Sequence, residues 1–409
     1  MNQAPLLAPS HPALSSPEVR LLLLLSRPTL SATQQDRARD LVPQVGDWPA
    51  LIDTAWRKYV LPMVYQNLAR LERGGPAGEI LAMMRPQAVG MTSEMLRRHA
   101  AFDWFHERCV IASDVPYAYF KGRALAARFY PDPVQRFYRD IDILVPRASR
   151  VDLIRCMIDQ GCRALLKSDS GHEEIAFATD AQLDEFLFMT PVPGVVTPQG
   201  LMVEMHGEID QQTSLFSTSD LLREAHEVAT QNHRIRVLPD APHVAFICYH
   251  HTRHVWSKLN WVADLAAICA HREFDREAVL DHARRLKIHT TVAAAFEFHD
   301  LTSAGHHPAD FDHTTPGIDL LRACVTGLAG DDELEARMRT DQVLSVLSFP
   351  WQDVPVSRWR IAMLGLRKFR PVYADFRAMP GGRWLRYVLA TGLRLQQFAS
   401  RRLTRALRR

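Results

Sequence analysis

Two carboxylates spaced two residues apart, in Arg139-Asp-Ile-Asp-Ile-Leu-Val145, are the residues of this chain best suited to do chemistry. A strand sends alternate residues to one face, so Asp140 and Asp142 point together while Ile141, Ile143 and Val145 face a core. Paired carboxylates on one rigid edge offer hard oxygen ligands to Mg²⁺ or Mn²⁺ and leave coordination positions open to substrate phosphates. The chemistry so implied is phosphoryl or nucleotidyl transfer. Taken alone, an Asp-x-Asp at a strand end is as often a solvated turn, so the flanking segments decide between the readings.

Those segments supply the elements that would position such a site. Pro116-Tyr-Ala-Tyr-Phe120 has the composition of a short aromatic strand, and Gly122 to Tyr130 that of a helix, which puts Lys121 and Gly122 at a strand-to-helix turn. Backbone N–H groups and the helix dipole attract phosphate at such a turn, glycine permits close approach, and Lys121 adds a point charge. Pro146 is expected to end the Asp140 strand, and Ser149 to cap a helix carrying Val151, Ile154, Met157 and Ile158, which Gly161 stops. A strand through Cys162 to Leu166 follows, and a polar stretch with Pro191, Pro193 and Gly194 leads into the strand Leu201 to His206. Glu204 and His206 share a face of that strand, which makes Glu204 the candidate third carboxylate. His206 orients Glu204, contacts a phosphate, or is a satisfied core histidine.

Phe120-Lys-Gly, Arg136 with Asp140-x-Asp142, Val203-Glu-Met-His206, and His250-His-x-x-His254 with Trp261-Val-Ala-Asp264 together resemble the uncharacterised nucleotidyltransferase family, over roughly residues 18 to 300. That family is similar to the polymerase-β-like nucleotidyltransferase superfamily. The resemblance implies an α+β fold, a mixed sheet flanked by helices, with N- and C-terminal helical additions. It matches Asp140, Asp142 and Glu204 to the catalytic metal ligands, and points Lys121, Gly122, Arg123, Arg136 and His206 toward the nucleotide. Arg123 stands where many relatives have serine, and Gly207 where tryptophan often follows the histidine. The activity implied is transfer of an NMP from an NTP, ATP in the first instance, to an unidentified acceptor hydroxyl or phosphate with release of pyrophosphate, using Mg²⁺ or Mn²⁺. γ-Phosphoryl transfer at the same site, and a nucleotide-binding or scaffold protein without turnover, are the alternatives.

A chain of 409 residues with 47% hydrophobic content can bury a sizeable core in two or three units. The expected division is an N-terminal helical region over 1–114, a catalytic core over 115–210, a helical domain over 211–350 and a basic C-terminal region over 351–409. Leu21 to Leu25 is too short to span a membrane, lacks a signal-peptide layout, and reads as a buried helix. Trp48 to Leu71 and Ala88 to Ala112 have amphipathic helical character, with a break at Gly74-Gly75-Pro76. Six scattered cysteines without a CxxC pair suggest reduced thiols in a cytoplasmic compartment.

Pro242 to Arg272 reads as one long helix, or two broken near Asn260. His250, His251 and His254 invite a zinc reading, which the missing HExxH glutamate and the absence of a suitably spaced cysteine disfavour. Buried or hydrogen-bonded histidines facing the active-site cleft are expected instead, with Asp264 in helix packing or an ion pair. From Trp351 to Arg409, Lys and Arg outnumber Asp and Glu by 14 to two, which the whole-chain charge of +3 conceals. Arg383, Arg386, Arg394, Arg401, Arg405 and Arg408 against Leu385, Val388, Leu389, Leu395, Ala399 and Leu403 make a basic amphipathic helix. Its apolar stripe is expected to pack on the rest of the chain. An anionic membrane surface, with the protein peripheral to it, or an acidic partner are the alternatives, and no nucleic-acid module accompanies it.

Overall fold

The computed structural model describes residues 17–71, 75–168, 171–210, 215–329, 347–354 and 371–407. Gly74 and Arg408, read above from the sequence, lie outside them. The chain divides into two compact units: Met1–His99 with Phe120–Tyr138 and His226–Pro355, and Ala100–Tyr119 with Arg139–Ala225 and Val356–Arg409.

The strands run in chain order β1 (Ala118–Phe120), β2 (Asp140–Leu144), β3 (Arg163–Ser168), β4 (Gly171–Ile175), β5 (Gly194–Val196), β6 (Met202–His206), β7 (His226–Ala229) and β8 (Arg234–Val237). In the second unit the spatial order is β4-β3-β5-β6-β2-β1. β2 and β6 pair in parallel, while β5 with β6, β3 with β5 and β3 with β4 are antiparallel, so the sheet is mixed. β2 lies between β6 and β1 in this order and is covered on both faces: Ile141 and Ile143 are buried on one, Asp142 and Leu144 on the other. Burial of Asp142 departs from the solvent-facing carboxylate that strand alternation alone would give, because the alternation fixes a side but not what covers it.

The helix Arg150–Asp159 buries Leu153, Ile154 and Met157 and leaves Ile158 exposed. The Ser149 side chain makes no capping hydrogen bond, since a short 3₁₀ turn over Arg147–Ser149 already leads into the helix. Its C-terminus closes as expected on Gly161, at φ +82°: the Gly161 N–H donates to Ile158 O and the Cys162 N–H to Met157 O, a paired closure that needs the left-handed residue. Three elements here went unread in the sequence: β4, β5 among the prolines, and the helix Asp180–Met189, capped by Thr179.

The helix Asp180–Met189 receives the C-terminal helix Arg383–Leu407. Arg383 pairs with Asp184 at 2.6 Å, Arg386 pairs with Glu185, and Trp384 and Tyr387 meet the Phe188 ring edge-on. Arg386 also covers the ring of Phe376 in the helix Tyr373–Ala378. The large apolar residues read as this helix's stripe point outward where they are described: Val388 is 63% exposed, with Leu385, Leu389 and Leu395 also exposed, as is Trp384 at 72%, while Ala390 is buried. Acids on the receiving helix make the basic side the complementary one.

In the first unit Leu21 to Leu25 lie on the helix Pro17–Leu25, and all five are buried, each contributing about 1.5–3 kcal/mol. β7 and β8 form an antiparallel hairpin in a stretch read from sequence as helical. The Pro242–Arg272 segment is two helices, Asp240–Arg253 and Leu259–Ala270. Val255 and Trp256, both buried and both at positive φ, make the break. All six cysteines are free thiols. Among the described residues no helix is long and apolar enough to cross a membrane.

Candidate metal centre

The parallel register of β2 on β6 sets Asp142 opposite Glu204 and Leu144 opposite His206. Alternation then sends Glu204 and His206 to one side, and the sheet brings Asp142 to the same place. One ligand atom from each of Asp142, Glu204 and His206 lies within 4.8 Å of the others, the only such group of His, Cys, Asp and Glu among the described residues. His206 Nε2 is 2.9 Å from Asp142 Oδ1 and 3.7 Å from Glu204 Oε2. The Asp142 and His206 side chains are buried, whereas that of Glu204 is 40% exposed. Asp142 is thus a fixed carboxylate with one oxygen held by an imidazole, and Glu204 is the member open to solvent.

Asp140 begins β2, two residues before Asp142, and is half-buried. It lies outside the three-residue cluster, although alternation puts it on the Asp142 side of the strand. Gly207 admits Arg147: a Cβ at 207 would meet Arg147 Cγ at 2.9 Å, and the guanidinium continues to Glu208 at 2.6 Å. A larger side chain at 207 would displace that arginine.

Two carboxylates and an imidazole suit a divalent cation with mixed oxygen and nitrogen preference.

Lys121, Gly122, Arg123 and Arg136 belong to the first unit. Lys121 precedes the helix Gly122–Phe129 at φ 56°, an uncommon conformation for a residue with a Cβ, and no side-chain cap closes the first turn. Its backbone N–H donates to His243 Nε2 at 3.2 Å, so His243 carries its proton on Nδ1. Its ammonium sits 5.1 Å from the Phe120 ring centre. Nothing in the spacing of His243 marked it as the partner of this turn. Gly122 and Arg123 are buried on the helix's first turn.

Arg136 is committed elsewhere than expected. Its Nε and Nη2 donate to the two oxygens of Asp264 at 2.5 and 2.8 Å, both side chains buried. Tyr130 donates to Asp264 Oδ1 at 2.8 Å. Burial pushes the Asp264 carboxyl up, but the Arg136 guanidinium and the His251 ring together outweigh it and hold the group below the usual carboxylate range.

His251 stacks on Trp261 with ring centres 4.5 Å apart, and His250 and His254 pack against the same cluster. Burial drives His251 down to about 4 against the pull of Asp264, and burial and then Lys121 hold His250 far below its ordinary value. The unfolded chain protonates His251 near pH 6.5 and the folded one only near 4, so the unfolded state binds more protons across that window. Stability is therefore full above pH 6.5 and declines as pH falls toward 4, by on the order of 3 kcal/mol for this residue. Denaturant unfolding at stepped pH should show that decline, and a His251→Phe variant should show a shallower one; identical slopes would locate the acid sensitivity in other groups.

A search of the curated proteins finds no match for the chain. A family profile described as uncharacterised nucleotidyltransferase matches residues 44–302, more than half of its length. With the carboxylate and histidine pattern of β2 and β6 falling inside that span, the chain belongs to the uncharacterised nucleotidyltransferase family.

Proposed function

We propose that the protein moves a nucleotidyl group from an NTP to an acceptor hydroxyl or phosphate, on a polymerase-β-like core, with Asp140, Asp142 and Glu204 as its metal-binding acids. The observation that carries this reading is the parallel β2–β6 register, which assembles Asp142, Glu204 and His206 from residues 62 and 64 positions apart. A divalent cation bound there supplies charge stabilisation at the reacting phosphate. Asp142, fixed by burial and by His206, sets the position of that charge, and Glu204 presents its carboxylate from the solvent side. The acceptor oxygen forms its bond to the α-phosphorus as the bond to the bridging oxygen breaks, and pyrophosphate leaves. Arg136 and His206 then serve as positioning residues, the first through Asp264 and the second through Asp142.

Parallel incubations with α-labelled and γ-labelled NTPs, Mn²⁺ or Mg²⁺ and a desalted cell extract test the reaction class. Label is expected on a new species from the α-labelled nucleotide alone, with labelled pyrophosphate from the γ-labelled one. Transfer of the γ-label would overturn nucleotidyl transfer in favour of phosphoryl transfer.

A further inference from the structure

The first unit holds a cavity of about 460 Å³ where the helices Leu259–Ala270 and His289–Ser303 end beside the turn that follows Pro17–Leu25. Its size is that of a small-molecule pocket. Among the described residues its lining contains no Asp or Glu but three arginines, Arg27, Arg128 and Arg272. Two of these have acids nearby: Arg128 pairs with Asp240 at 2.7 Å and Glu273 at 2.9 Å, and the exposed Arg272 lies 3.8 Å from Glu273.

Arg27 differs. It is 3% exposed, and only its Nη1 is satisfied, donating to Ser303 Oγ at 2.8 Å. Its Nε and Nη2 are buried without a hydrogen-bond partner. Burial lowers the guanidinium to about 10, opposed only in part by the neighbouring Cys269 thiol. The helix-end carbonyls nearby have donors of their own, Asn67 on Leu25 and Arg27 and Gln34 on Ser303. His299, at 3.3 Å from Ser303 Oγ, is pushed down to about 3 by burial and by the Arg27 charge, so it remains neutral and adds no second buried cation. A buried cation with two unsatisfied donors costs several kcal/mol unless an anion meets it. Forked N–H groups match the two oxygens of a carboxylate or phosphate, while Phe129, Pro131 and Ala266 give the wall an apolar part for the body of a molecule.

We propose that this cavity is an anion site, taking the carboxylate or phosphate group of a small metabolite on Arg27 Nε and Nη2. The site shares no residue with the metal-binding cluster or the Lys121–Gly122 turn and does not rest on the nucleotidyl-transfer reading.

The test compares the full chain with Arg27→Met by calorimetric titration and thermal melting in inorganic phosphate, acetate and chloride at matched ionic strength. Phosphate or acetate is expected to bind and stabilise the wild type where chloride does not, and which of them does so separates the two anion classes. The variant should bind that anion at least about tenfold more weakly, the loss of a charge-assisted hydrogen bond. In chloride alone it should melt no lower than the wild type, because an unmet charge has been removed. Anion stabilisation of equal size in both proteins, none in the wild type, or a lower melting temperature of the variant in chloride would each overturn the proposal. Tungstate soaked into wild-type crystals gives a reading independent of the variant: density within hydrogen-bond reach of Arg27 supports the site, and an empty cavity refutes it.

Discussion

Glu204→Gln is expected to reduce nucleotide-dependent product formation by on the order of 10²–10³-fold, the cost of removing one group that stabilises charge at a transferring centre. The fold should hardly respond. With its side chain 40% exposed and 3.7 Å from His206, Glu204 makes no buried contact whose loss is costly, and surface substitutions of this kind stay within about 0.5 kcal/mol. Asp142→Asn should match it in activity but not in stability, because Asp142 is buried and takes a hydrogen bond from His206 at 2.9 Å. Asparagine keeps an acceptor for that bond, so the added destabilisation should be about 1 kcal/mol and the protein should remain folded. Mn²⁺ titration followed by electron paramagnetic resonance separates binding from turnover. Both variants should lose affinity for Mn²⁺, whereas undiminished Mn²⁺ binding in Glu204→Gln would remove that residue from the ligand set. Unchanged turnover in Glu204→Gln would refute its catalytic assignment outright.

The parts of this site visible in the sequence are those fixed by short-range periodicity. Asp140-x-Asp142 and Glu204-x-His206 announce shared faces because a strand repeats every two residues, and the Lys121–Gly122 turn is marked by the change from an aromatic run to a helical one. What periodicity cannot express is which strands become neighbours. The pairing of β2 with β6 joins segments some 60 residues apart, and it converts two separate dipeptide signals into one cluster that includes Asp142 but not Asp140. Asp264 illustrates the same limit, being 128 positions from the Arg136 that neutralises it. The C-terminal helix shows another. Its spacing reveals a basic and an apolar side, but the inward side was decided by Asp184 and Glu185 on a helix that the sequence pattern did not disclose. β5 escaped notice because Gly194-Val-Val196 is too short, and too close to prolines, for alternation to register.

Asp264→Ala is expected to be the most destabilising of the substitutions considered, by about 3–5 kcal/mol, equivalent to a melting-temperature loss of roughly 10 °C. The substitution deletes the acceptors of Nε and Nη2 of the buried Arg136 guanidinium, leaving Nη1 its bond to the Phe137 carbonyl, and with them the acceptor of the Tyr130 hydroxyl. It also takes from His251 the carboxylate oxygen 3.8 Å away. Most of the penalty is the uncompensated Arg136, not the lost attraction, since the pair was formed at the expense of its own desolvation. Arg136→Met/Asp264→Leu should therefore recover much of the loss, and the double-mutant cycle should return a coupling energy well above the few tenths expected of independent sites. A cost below about 1 kcal/mol for Asp264→Ala would mean that water reaches the pair and that it does not hold this part of the fold. The double variant also decides what Arg136 does. As a positioning residue held through Asp264, its replacement alongside its partner should leave NTP affinity within about threefold of wild type. A loss of NTP binding in a protein that has regained its stability would instead return Arg136 to the nucleotide, which its place in the family pattern before Asp140 would then explain.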